Sequence, residues 1–169
     1  MNIKLVATDI DGVWTDAGMY YDNENNQLKK FNAHDGAAVL LLKTLGIPIC
    51  IVTGEETEIV KKRAEKLKVE YLYQGCDNKC STVESLCEQL GISVQEVAYI
   101  GDDFNDVKLL RKAGISACPA NASEYIKKEA QWQLKKNGGD GAFREFVERI
   151  LEENKVLEET IDKLLEKFS

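Results

Sequence analysis

The sequence predicts a doubly wound α/β fold on a parallel, Rossmann-like sheet. Three observations predict it. Short apolar runs without polar alternation suit strands covered on both faces. Longer amphipathic stretches lie between them, as βαβ units require. Glycines close those stretches where helices should stop. The strands read as Ile3–Thr8, Ile47–Val52, Val97–Ile100 and Ile115–Cys118. The helices read as Gly36–Leu45 before Gly46, Glu56–Leu67 with Ile59, Val60, Arg63 and Leu67 at helical spacing, Ser81–Leu90 before Gly91, and Asp106–Lys112 before Gly114. One insertion breaks the alternation: Gly18–Tyr21 and Gln27–Phe31 flank the polar run Asp22–Asn26, which predicts a β-hairpin flap over about residues 17–31. From about 142 to 168, Phe143, Phe146, Val147, Ile150, Leu151, Leu157, Ile161, Leu164, Leu165 and Phe168 keep a helical apolar spacing. That predicts one terminal helix of about 25 residues, roughly 38 Å long. A sheet of this size does not easily cover such a helix, so its far half is expected to pack on another subunit; the competing reading is a packed terminal helix with a frayed end.

The chain has 169 residues, 44% of them apolar and 30% charged. This is the size of one domain with one core, so residues 1–169 read as a single domain. The net charge of −7 repels nucleic acid and anionic membranes, and neither is expected as a partner. No run approaches the roughly 18 apolar residues of a membrane span. The N-terminal stretch reaches Asp9 before a long apolar segment develops, which reads as the absence of a secretory leader and points to the cytoplasm. Five scattered cysteines suggest reduced thiols rather than a disulfide framework. Zinc would need more soft ligands than Cys76, Cys80 and the only histidine, His34, provide.

The chemistry gathers at strand ends. Asp9-Ile10-Asp11-Gly12-Val13-Trp14-Thr15-Asp16 follows the first strand, and Gly101-Asp102-Asp103-Phe104-Asn105-Asp106 follows the third. An Asp-x-Asp alone is as often a turn as a site. Two acidic strand ends on one edge of a sheet make a hard, oxygen-rich site suited to magnesium, and in open α/β sheets ligands bind at that edge. Thr53-Gly54 ends the second strand and offers a hydroxyl and backbone N–H groups to an anion at a helix start. Lys79, in a loop before the next helix, brings a positive charge.

The ordered set Asp-x-Asp, Thr-Gly, Lys, Gly-Asp-Asp-x-x-Asp resembles the haloacid dehalogenase superfamily of phosphatases over nearly the whole chain. The resemblance implies a nucleophile at Asp9, a general acid and base at Asp11, and phosphoryl binding by Thr53, Gly54 and Lys79. It implies Mg2+ held by Asp9, Asp102 and the backbone carbonyl of Asp11, with Asp103 and Asp106 supporting the metal shell or orienting Lys79. No cap domain fits in this length. The short chain, Asp9-Ile10-Asp11-Gly12-Val13-Trp14-Thr15-Asp16, the hairpin, Asp35-Gly36 and Gly138-Gly139-Asp140-Gly141-Ala142-Phe143-Arg144-Glu145 are similar to the capless phosphatases of 3-deoxy-2-ulosonic acid phosphates. That branch implies a sugar-acid phosphate substrate and a homotetramer in which one subunit covers its neighbour's site.

One departure bears on substrate. Glu55 follows Thr53-Gly54 where octulosonate 8-phosphate enzymes commonly carry arginine or glycine. An acid there resembles the nine-carbon type, so the expectation leans to the 9-phosphate of 2-keto-3-deoxynononate, with the 8-phosphate of 3-deoxy-D-manno-octulosonate as the alternative. Glu55 would accept hydrogen bonds from extra hydroxyls or an amide, and Arg63 would receive the substrate carboxylate, in its own site or in a neighbouring subunit's. The competing explanations are a helix-start charge for Glu55 and a solvated helix face for Arg63. His34 beside the flap is a further candidate contact. The Gly138–Gly141 loop with Arg144 is expected to close over substrate, since glycines permit motion. Two other classes are weaker. A phosphate-receiving signalling domain would carry its paired acids on the first strand and its lysine last. An inactive regulatory subunit has no physical need for Asp9, Asp11, Thr53, Lys79 and Asp102 together.

Overall fold

The structure is a computed structural model and describes residues 2–168. Six parallel strands form the central sheet: β1 (Leu5–Thr8), β4 (Ile49–Val52), β5 (Tyr71–Tyr73), β6 (Val97–Ile100), β7 (Ile115–Cys118) and β8 (Trp132–Gln133). Their order is β5-β4-β1-β6-β7-β8. β1 therefore lies between β4 and β6, with Thr8 opposite Ile51 on one side and Ile100 on the other. The loops after these three strands open side by side at the carboxyl edge, which is why residues far apart in sequence meet there.

Helices cover both faces, because each central strand is apolar on both sides. Val6, Ile49, Ile51, Ala98 and Ile100 pack under α1 (Ala33–Thr44), α2 (Glu58–Leu67) and α6 (Ala142–Glu153). Leu5, Ala7, Cys50, Val52, Val97 and Tyr99 pack under α3 (Lys79–Leu90), α4 (Val107–Lys112) and α5 (Glu124–Glu129). Trp14 is fully buried, stacks on Phe143 at 4.7 Å between ring centroids, and donates its indole N–H to the Thr8 hydroxyl at 3.0 Å. The ring thus fixes the loop after β1 against α6.

The predicted hairpin is present as β2 (Tyr20–Tyr21) and β3 (Gln27–Leu28), an antiparallel pair between β1 and α1. Two strands and one helix were not predicted. β5 and β8 have three and two residues and flank the sheet as its edges, and α5 has six. Segments this short carry too few apolar positions to show a period.

The predicted single terminal helix is corrected. α6 ends at Glu153 and α7 (Leu157–Glu166) follows a turn in which Lys155 takes φ 57°. The Lys155 N–H bonds the Glu152 carbonyl and the Val156 N–H bonds the Leu151 carbonyl, a left-handed helix stop. The turn sends α7 back onto α1 of its own chain. Val156, Leu157, Ile161 and Leu164 pack on the core there, so most of the apolar face expected to seek another subunit is already covered within the chain.

Asp35 in the first turn of α1 ties that helix to α6. Its Oδ1 accepts the Arg144 N–H at 3.0 Å, while Oδ2 is buried without a hydrogen-bond partner. Burial pushes this carboxyl up to about 6, against the Arg144 N–H and the charges of Arg63 and Arg144. A raised carboxyl favours folding in its protonated form. Its contribution is complete below the ordinary value of 3.8 and lost as pH rises through about 6. Asp35→Asn keeps an acceptor for the Arg144 N–H and removes the buried charge. The variant is expected to gain about 1–3 kcal/mol on wild type at pH 7 and little at pH 4, read as the difference in melting temperature at the two pH values.

Candidate active site

The loop after β1 opens with Asp9, whose N–H bonds the Ile100 carbonyl of β6 and so continues the ladder past the strand end. Asp9 is 5% exposed. Its Oδ1 accepts the Ile10 N–H at 2.8 Å, and its Oδ2 meets the Lys79 Nζ at 2.7 Å. Lys79 is the first residue of α3 rather than a loop residue, and it is fully buried. Its ammonium also reaches Asp106 Oδ1 at 2.7 Å. Burial alone would lower the Lys79 ammonium, but the charges of Asp9 and Asp106 outweigh it and hold it above its ordinary value.

Asp106 is saturated. Besides Lys79, its Oδ1 accepts the Tyr99 hydroxyl at 2.6 Å, and its Oδ2 accepts the N–H groups of Asp102 and Asp103 at 2.8 and 3.0 Å. It therefore shapes the loop after β6 and holds Lys79. Gly101 allows this: a Cβ there would sit 2.5 Å from the Asp106 Cγ. Burial, then the charge of Asp106, raises the Tyr99 hydroxyl well above its ordinary value, so it stays a donor. Asp103 caps the following turn through Phe104 N–H and lines the cavity.

Asp102 has a different environment. Its Oδ1 is buried with no hydrogen-bond partner among the described residues. Its carboxylate lies over Gly12, where φ is 86° and a Cβ would come within 1.8 Å of Oδ2. Burial first, then the charges of Asp9 and Asp106, push Asp102 up to about 8. Asp9 is pushed up to about 7 by burial and by Asp106, against the pull of Lys79. One oxygen each from Asp9, Asp102 and Asp106 lie within 4.8 Å of one another. Asp106 has its oxygens filled by protein donors, so Asp9 and Asp102 are the pair with capacity for a cation. Two desolvated carboxylates and an orphaned oxygen are what a divalent ion would neutralise.

A cavity opens above them, lined by Asp9, Asp11, Thr53, Gly54, Glu55 and Asp102 and rimmed by Ala17, Asp103 and Asn105. Thr53 is buried, and its N–H and carbonyl bond Tyr73 and Cys76 of the adjacent segment. Asp11 and Glu55 share a cation not foreseen in the sequence: Lys29 of the hairpin places Nζ 2.6 Å from Asp11 Oδ1 and 2.9 Å from Glu55 Oε2. Glu55 is thus on the cavity wall, but its carboxylate is engaged by the protein.

Arg63 and His34 are elsewhere. Arg63 lies over the Phe31 ring at 5.6 Å and points a terminal nitrogen at the Asn32 carbonyl, outside the set that lines the cavity. His34 lines a separate depression with Lys136, Asp140, Gly141 and Arg144. The expected glycine lid is also corrected. Gly138 and Gly139 are buried beneath the loop after β1, where Cβ atoms would fall 1.9 Å from the Gly12 carbonyl oxygen and 2.7 Å from the Asp16 nitrogen. These glycines permit close backbone approach rather than motion. Lys29, Tyr99 and Asn105 were missed. Only Asn105 carried a signal, its place within the second acidic cluster.

Known proteins resemble this chain in sequence and in fold. The family model of haloacid dehalogenase-like hydrolases matches residues 72–146. A 3-deoxy-D-manno-octulosonate 8-phosphate phosphatase of Escherichia coli is 36% identical over 150 residues, 89% of this chain and 80% of that protein. One from Haemophilus influenzae is 34% identical over 151 residues, 89% and 84% of the two chains. The crystal structure of the Moraxella catarrhalis phosphatase of the same name, in complex with magnesium, phosphate and its sugar acid, superposes with a TM-score of 0.92 at 35% identity, covering 95% of this chain and 92% of that one. The chain therefore belongs to the haloacid dehalogenase-like hydrolases, in the capless branch that contains these phosphatases.

Proposed function

We propose that this chain is a magnesium-dependent phosphatase that hydrolyses a 3-deoxy-2-ulosonic acid phosphate through an aspartyl-phosphate on Asp9. The observation that carries this reading is the pairing of Asp9 with Lys79 beside an unsatisfied Asp102, at the floor of an open cavity. Asp9, Asp102 and the Asp11 carbonyl would hold magnesium, which when bound supplies positive charge to the phosphoryl oxygens. Lys79, paired with Asp9 Oδ2, adds a second positive charge, and Thr53 and Gly54 would offer a hydroxyl and an N–H to the same oxygens. The Asp9 carboxylate forms a bond to phosphorus as the bond to the sugar oxygen breaks. Asp11 gives that oxygen a proton and later takes one from the attacking water.

The relatives' names favour the 8-phosphate of 3-deoxy-D-manno-octulosonate as substrate. The nine-carbon 2-keto-3-deoxynononate 9-phosphate remains the second reading, on the single observation that an acid, Glu55, stands in the cavity wall, and it requires Glu55 to leave Lys29 for the substrate. Met19, Tyr20, Tyr21 and Leu28 leave the hairpin with an exposed apolar surface, which supports a homotetramer in which each hairpin reaches a neighbour. No helix among the described residues is long and apolar enough to cross a membrane, and the proposed setting is the cytoplasm. Phosphate release from the two esters, with magnesium and with a chelator, tests the proposal. Metal-dependent turnover with preference for the eight-carbon ester is expected. Preference for the nine-carbon ester would reverse the substrate order, and turnover of neither would sink the reading.

A further inference from the structure

Lys29 inverts the usual partition of a surface hairpin. Leu28 beside it is 66% exposed, whereas the Lys29 side chain is 1% exposed. Lysine is among the side chains least often buried, and it is buried when paired. Its two partners are Asp11 and Glu55, both on the wall of the catalytic cavity. They come from different segments, one after β1 and one after β4, and among the described residues no other hairpin side chain is paired with both.

The bonding of Asp11 is one-sided. Lys29 at 2.6 Å and the Thr15 hydroxyl at 3.3 Å both donate to Oδ1. Among the described residues no hydrogen bond is made to Oδ2. A carboxyl that must pass a proton to a leaving oxygen needs one oxygen anchored and the other free towards the substrate. Thr15 alone is a weak anchor at that distance. Glu55 in turn fixes Lys29, since a flexible four-carbon stem with one partner has no defined direction.

We propose that Lys29 is a positioning residue for the Asp11 carboxyl, with Glu55 as its second anchor rather than a contact to substrate. This rests on the phosphatase reading and on Asp11 as the acid. As the Asp9 carboxylate bonds to phosphorus, the proton on Asp11 Oδ2 passes to the departing alkoxide, while Oδ1 stays tied to Lys29. The hairpin thereby sets the orientation of the acid.

The test uses two esters that differ in their need for an acid. The alkoxide of octulosonate 8-phosphate needs a proton as it leaves, and the phenolate of p-nitrophenyl phosphate does not. The ratio of their kcat/KM values depends on steps up to phosphoryl transfer, so hydrolysis of the aspartyl-phosphate does not enter. General-acid assistance is worth about 10²–10⁴-fold, and Lys29→Met is expected to lower the alkyl-to-aryl ratio by at least about tenfold. Lys29→Arg should restore part of it. Glu55→Gln should lower the ratio in the same direction by a smaller factor, and add little in the Lys29→Met background, because the two act on one carboxyl. An unchanged ratio in Lys29→Met, whether both esters slow equally or neither slows, overturns the proposal. If Lys29→Met does not fold, an unchanged ratio in Glu55→Gln overturns it instead. A wild-type enzyme that turns over neither ester fails the phosphatase reading itself, which separates the two failures.

Discussion

Asp9→Asn abolishes phosphate release, with an expected loss of at least about 10⁴-fold in kcat, the scale seen when a nucleophile is removed from a site otherwise intact. The substitution is nearly isosteric. Its one carbonyl oxygen can accept either the Ile10 N–H or the Lys79 ammonium, not both, and Lys79 keeps Asp106 at 2.7 Å. What disappears is the oxygen that would bond to phosphorus and one of the two carboxylates with room for a cation. The fold should survive, because Asp9 is a desolvated carboxylate pushed up to about 7 by burial and by Asp106, and losing such a charge relieves about as much as the lost pairing costs. A melting temperature within a few degrees of wild type, together with no turnover, is the expected pair of results. Acid-quenched wild type caught during turnover should carry its phosphoryl group in the peptide containing Asp9, and the variant none. Substantial phosphate release by Asp9→Asn would remove the covalent mechanism.

The parts of this site that were legible share one property: they stand where an apolar run ends. Asp9, Thr53 and Asp102 follow β1, β4 and β6, so a reader who finds the strands finds the site. Parallel order then brings the three ends together, since β1 lies between β4 and β6. Lys29 was illegible for a different reason. Lys29 and Lys30 are neighbours in a polar hairpin, and only the register of Tyr20 opposite Leu28 decides which of them turns inward. Tyr99 sits inside a fully buried strand, where an aromatic reads as core packing. The Gly138–Gly139 pair was misread because composition alone does not separate a glycine needed for motion from one needed for contact. The break at Lys155 was hidden because α6 and α7 both face the same core, so the apolar spacing runs on from Ile150 and Leu151 to Leu157 and Ile161 with a gap of about one and a half turns. Arg63 and His34 lie outside the set that lines this cavity, and side-chain type gives no direction.

Lys79→Met has the second-largest expected effect, and it falls on stability as well as on rate. The ammonium lies between Asp9 and Asp106, 2.7 Å from each, with the Lys79 side chain itself shut off from solvent. Met matches the length of the stem but leaves both carboxylates without their cation. Breaking a buried pair from one side costs about 3–5 kcal/mol, since an uncompensated charge stays in the core. Asp106 is partly protected, for Tyr99 and two backbone N–H groups still bond it. Among the described residues Asp9 keeps only the Ile10 N–H, so most of the penalty falls there. That asymmetry makes a distinctive prediction. Magnesium binding at Asp9 and Asp102 would replace part of the lost charge, so the variant should gain more in melting temperature from added magnesium than wild type does. Turnover should fall by at least about 10²–10³-fold even at saturating metal, the usual cost of losing one donor to a developing phosphoryl charge. Lys79→Arg should not rescue it, because a planar guanidinium presents its donors as a fork rather than as the compact charge that fits between two carboxylates. Equal stability of Lys79→Met and wild type in chelator would show that the Asp9–Lys79–Asp106 chain is not what holds these acids in the core.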